Sequence, residues 1–138
     1  MESTLSMSSR SLQYYVIAKR WLADMEFFRI EAQFLHLLLE RNMLIHLHDK
    51  AYLKLLIAAN KELKQLQQLM KGDLLSGQIT QLELMAEDII PEDAESLAAT
   101  QVRLEYFMTD LTNRFRGVKQ DVFALVLQMN HLARPVVN

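Results

Sequence analysis

Apolar residues recur along most of this chain at alternating intervals of four and three, the rhythm of a helix that packs one face. Three such series predict three long helical segments. The first runs through Tyr14, Ala18, Trp21, Met25, Phe28, Ala32, Leu35 and Leu39, and places a helix from about Ser9 to Asn42. The last is Leu104, Met108, Leu111, Phe115, Val118, Val122, Leu125, Met129 and Leu132, which passes straight through Gly117. Its start is marked by Pro91 at a first helical position. Glu92, Asp93 and Glu95 follow and complement the positive end of the helix dipole, and Pro135 marks the end. A helix between those prolines would be roughly 60 Å long at 1.5 Å per residue.

The middle segment changes face part-way. From about Asp49 its seam is Tyr52, Leu56, Ala59, Leu63, Leu66 and Met70, and a second seam of Leu75, Ile79, Leu82, Ala86 and Ile89 follows. Rotation by 100° per residue sets the two roughly 130° apart. Ordinary drift of about 20° per heptad does not produce that. The jump falls between Gly72 and Gly77, so the second segment, reaching about Asp88, is kinked or broken there. Joined by the short connections Met43–His48 and Ile89–Pro91, the segments predict an elongated antiparallel up-down-up bundle of three long helices, one all-α domain over residues 1–138. A four-helix bundle is the alternative if the second segment ends at the glycines.

Composition agrees. Three glycines and two prolines are too few for the turns of a many-stranded sheet, and 25 leucines against 19 Val, Ile and Thr together favour helix.

The first segment is apolar over more than one stripe. Besides its seam, Ala23, Phe27, Ile30, Phe34 and Leu37 gather roughly 160° away, so that only a strip of Arg29, Gln33, His36 and Glu40 is left to face water. Inside the apolar arc fall Arg20, Asp24 and Glu31. A buried carboxylate needs a partner, since an unpaired charge costs several kcal/mol. Arg20 and Asp24 are spaced to pair at i,i+4. Lys119, beside Phe115 and Phe123 at the edge of the third segment's seam, is the candidate partner of Glu31; Lys54 and Lys61 point away from theirs. The expected buried polar cluster is therefore Arg20, Asp24, Glu31 and Lys119, read either as a lock on helix register or as a binding site. The breadth of the arc also predicts that three helices leave Phe27, Ile30, Phe34 and Leu37 uncovered, a candidate interface for a homodimer.

Charge narrows the choice of partner. Fifteen basic against seventeen acidic residues lack the positive excess that nucleic-acid binding draws on. Between Lys71 and Arg103 seven acidic residues and no basic one form an acidic hairpin, read as a solvated tip compensated by Arg10, Lys19 and Arg20 or as a docking patch. No helix shows the basic amphipathic face of a membrane-surface binder. The longest stretch free of charged residues, Val122–Ala133, is too short to span a bilayer. With no cysteine and no basic or apolar leader in Met1–Ser9, a cytoplasmic location is expected.

No catalytic or cofactor motif emerges. None of His36, His46, His48 and His131 follows a Glu by three residues, as a carboxylate-bridged di-iron bundle requires. His46-Leu47-His48-Asp49 reads as a solvent-facing loop with Asp49 capping the next helix, and His36 with Glu40 as a surface pair.

The run from Trp21 to Leu35, with Asp24, Phe27, Phe28, Glu31 and Phe34, resembles a first-helix pattern of small helical-bundle proteins of Bacteroidetes. Ile79-Thr80-Gln81-Leu82-Glu83 and Val118-Lys119-Gln120-Asp121-Val122-Phe123 resemble later parts of it. The glycines at 72 and 77 depart from the smoother second helix of that pattern. The resemblance implies a long-helix fold and a pairing of Glu31 with Lys119, and no substrate or cofactor. The expectation is a non-enzymatic interaction or scaffold module that self-associates through the first helix or binds a protein partner. The alternative is a small-molecule or metal-binding bundle using Asp24, Glu31 and Lys119.

Overall fold

The structure is a computed structural model that describes residues 8–72 and 74–133, the side chains of 129–133 excepted. Among the described residues it is all helical. Four helices follow in order: α1 Ser9–Ile45, α2 Lys50–Met70, α3 Leu74–Ala86 and α4 Ala94–Ala133. The second predicted segment is thus in two pieces, α2 and α3, interrupted at Lys71 and Gly72, where the seam changes face. Gly77 is not part of the interruption; it lies exposed inside α3 with nothing within 4 Å of the position a Cβ would take.

Local chemistry sets the helix ends. Ser8 caps α1, its Oγ accepting from the Ser11 N–H at 3.1 Å, and α1 runs one turn beyond the expected Asn42 to Ile45. Asp49 caps α2 through the Tyr52 N–H at 3.1 Å. At the end of α3, Asp88 takes a left-handed conformation with φ of 58°. The Asp88 N–H then reaches the Met85 carbonyl and the Ile89 N–H the Leu84 carbonyl, the paired bonds of a Schellman stop. Because that stop ends the helix at Ala86, Ile89 leaves the second seam and is 61% exposed.

The α4 start differs from expectation. Pro91, Glu92 and Asp93 precede the helix, and Asp93 is the cap, its Oδ1 accepting from the Ser96 N–H at 3.0 Å. A carboxylate three residues ahead of a free helical N–H satisfies an orphan donor, which proline at a first helical position does not do. Pro135 and the side chains of Met129 and Leu132 lie outside the described residues.

The chain divides into two compact units. The first takes α1 up to Phe27, all of α3, and α4 up to Asp110; the second takes α1 from Phe28, all of α2, and α4 from Leu111. In the first unit Leu82, Met85 and Leu97 form a buried cluster, with Tyr14, Tyr15 and Ile90 packed against it. In the second, Leu35, Leu39, Leu56, Leu63, Leu66, Leu111 and Val122 are almost wholly shielded from water. Burying each such leucine stabilises its unit by roughly 2 kcal/mol.

Candidate interaction surface on the first helix

Helix α1 turns its seam inward and its second apolar stripe outward. Met25, Ala32, Leu35 and Leu39 are buried, whereas Ile30, Phe34 and Leu37 are 66%, 57% and 59% exposed. Phe27, the last residue of the first unit, is also exposed, as is Ala23. Of the strip expected to face water, Gln33 and Glu40 are exposed, whereas Arg29 and His36 are half-buried, so water reaches α1 over the stripe as well as over part of that strip. Two flanking helices cover an arc on one side of α1 and leave the opposite side bare, however apolar it is.

In the second unit, polar residues on both edges of the seam fasten α1 to its neighbours. On one edge the Arg29 guanidinium donates to the Met70 carbonyl at 2.6 Å. Met70 ends α2, so this bond satisfies a carbonyl that lacks a partner within its own helix. Two turns on, His36 Nδ1 lies 2.9 Å from Asn60 Oδ1, and its Nε2 lies 3.4 Å from Glu40. On the other edge Lys119 Nζ donates to Glu31 Oε2 at 2.5 Å, with the two side chains 37% and 25% exposed. Beside them Phe28 meets Phe115 with ring centroids 5.1 Å apart. The Glu31–Lys119 pair sits at a wet rim, where an ion pair is worth about 1 kcal/mol or less.

Arg20 and Asp24 do not join a buried cluster. Both are exposed, in the first unit. They lie at the border of the seam, where a long or charged side chain reaches water without a buried partner.

Two polar arrangements in the first unit carry no signal in the spacing of apolar residues. Glu92 Oε1 accepts from both Ser8 Oγ and Ser11 Oγ at 2.6 Å, and these bonds hold its carboxyl below its ordinary range. The acidic stretch thus meets α1 here through hydroxyls. The Tyr15 hydroxyl likewise donates to Glu83 at 3.1 Å; partial burial, then that carboxylate, raises the Tyr15 phenol above its ordinary value. Deeper inside, Gln78 and Gln101 are buried face to face. Gln78 Nε2 donates to Gln101 Oε1 at 3.2 Å and to the Leu97 carbonyl at 3.4 Å, while Gln78 Oε1 and Gln101 Nε2 have no partner among the described residues. The one signal for this pair is Gln101, four residues after Leu97 and three before Leu104, a polar residue on the line of the α4 seam.

Among the described residues no group of three or more His, Asp or Glu could hold a metal ion, and no helix is long and apolar enough to cross a membrane. No protein-family model, curated protein or solved structure matches this chain. Its functional reading therefore stands on the surface chemistry of α1.

Proposed function

We propose that the protein is a non-enzymatic helical interaction or scaffold module, cytoplasmic, that self-associates through the outward stripe of α1. The observation that carries this is the exposure of Ile30, Phe34 and Leu37 on one face of one helix. Three large apolar side chains more than half exposed offer on the order of 300 Å² of apolar surface within the second unit, the size at which patches mark interaction sites. The polar edges of α1 are already bonded to α2 and α4, so the stripe is the part of the helix left for a partner. The up-down-up order of the three long segments belongs to the same proposal and is supported by the short connections between them.

The alternative use of Asp24, Glu31 and Lys119 as a ligand site draws no support from their placement, since Lys119 occupies Glu31 and Asp24 faces water. Light scattering of the wild type beside Phe34→Glu tests the proposal. The wild type is expected to exceed the 16.1 kDa of one chain, and the variant to fall back to it with its helicity intact. Two monomers at millimolar concentration would refute it.

A further inference from the structure

The second unit carries a groove with an apolar floor and carboxylates at its rim. Between α2 and α4 lies an open groove of about 320 Å³, lined by the apolar Leu55, Ala58, Ala59, Ala124 and Leu125 and by the polar groups of Glu62, Asp121 and Gln128. An apolar cavity of about 150 Å³ holds one benzene, so this one has room for about two large side chains. Small residues on a groove floor are what protruding Phe and Ile side chains require. The stripe supplies those in Phe34 and Ile30, and one turn past Leu37 it carries the exposed cation of Arg41. An acidic rim and a basic stripe end attract, whereas two copies of the stripe set in parallel would oppose Arg41 to itself.

Stripe and groove lie on opposite faces of the unit. Asn60 marks the side of α2 that meets α1, and Leu55, Ala58 and Glu62 are roughly 140–160° around the helix from it. Lys119 marks the corresponding side of α4, and Asp121 and Ala124 are again roughly 140–160° away. The groove therefore opens away from α1, and the α1 stripe faces away from α2 and α4. Two patches on opposite faces cannot engage each other reciprocally in one closed pair; they join copies head to tail, into a ring or an open chain.

We infer that the partner of the α1 stripe is the α2–α4 groove of a second copy of this chain, with Phe34 and Ile30 seated over Ala58, Ala59 and Ala124 and Arg41 against the rim carboxylates. This rests on the self-association proposed above and specifies its geometry.

Sedimentation velocity on the full chain tests it with two variants at exposed positions, Phe34→Glu to disable the stripe and Ala58→Trp to fill the groove. Ala124→Trp serves as a second filling variant should circular dichroism show that Ala58→Trp loses helix. The wild type is expected to grow in mass with concentration beyond two chains, and each variant alone to stay a monomer. An equimolar mixture is expected to form a dimer and nothing larger, because one intact stripe meets one intact groove. Arg41→Glu should weaken assembly about tenfold or more, and Glu62→Arg with Asp121→Arg on the other copy should restore it. A groove-filled variant that associates like the wild type, or a mixture that stays monomeric, overturns the head-to-tail geometry while leaving self-association standing. A wild type that remains monomeric overturns both.

Discussion

The first unit buries two glutamines face to face with polar atoms left over, whereas in the second the buried Tyr52 spends its hydroxyl on the Leu125 carbonyl of α4 at 3.2 Å and the bonds that fasten α1 lie at the rim. In the second, the buried Asn42 bonds the Leu38 carbonyl of its own helix, and the contacts of α1 with its neighbours fall to Arg29, His36, Glu31 and Lys119, all partly wet. In the first, Gln78 and Gln101 meet across α3 and α4 with one acceptor and one donor left over. Cutting a rim bond lets water take the vacated site. Cutting a core bond orphans an amide that has already lost its water, so the same chemistry costs more inside than at the edge.

The glutamine pair is where this contrast breaks most visibly. Gln101→Leu removes the nearer of the two acceptors of Gln78 Nε2, leaving the 3.4 Å bond to the Leu97 carbonyl, and is expected to cost about 1–3 kcal/mol in urea unfolding, while Gln78→Leu with Gln101→Leu together recovers most of that loss. A double variant as unstable as the single would show that the amides do more than satisfy each other. Next come the two helical glycines, one in each unit. Among the described residues, neither Gly77 nor Gly117 has an atom beyond its chain neighbours and its own helical backbone within 4 Å of its Cβ position, so each change to Ala should stabilise by about 0.5–1 kcal/mol, equally in both units. A loss at either position would reveal a close approach that this packing lacks.

At the rim the expected effect shrinks. Glu31→Gln should cost under about 1 kcal/mol, because the pair with Lys119 is screened by the water that reaches both side chains; a penalty as large as that of Gln101→Leu would erase the distinction between rim and core. Smallest is the acid dependence at Glu92. Its carboxyl is held below the ordinary value of 4.5 by the Ser11 and Ser8 hydroxyls. The stabilisation is therefore present above pH 4.5 and is lost as pH falls through the lower folded value. Glu92→Gln should flatten the acid limb of stability against pH; an unchanged limb would remove Glu92 from the account.

Much of the fold was legible in the sequence because its seams are long. Leu56, Leu63 and Leu66, or Leu104, Leu111 and Val122, repeat often enough that burial follows from spacing alone. The change of face at Gly72 was legible for the same reason, since a rotated seam is visible without knowing where the partner lies. Other features depend on which helices stand beside α1. The stripe of Ile30, Phe34 and Leu37 is as hydrophobic as a core face, and what pointed to its exposure was the count of helices available to cover so broad an arc, not its spacing. The link from Ser8 and Ser11 to Glu92 joins residues more than eighty positions apart through short hydroxyls that leave no periodic trace. The Glu31–Lys119 contact lay within reach because both residues flank seams, whereas Arg20 and Asp24 showed that the same flanking position can open to water.

Oxidative footprinting of Phe34 across a concentration series tests the central claim, that the outward face of α1 is covered by another copy, most directly. Tyr106, 74% exposed in the first unit, serves as the internal reference. The predicted result is that labelling of Phe34, Ile30 and Leu37 falls as concentration rises while labelling of Tyr106 holds. Labelling of the stripe that stays constant from dilute to millimolar protein would contradict the account.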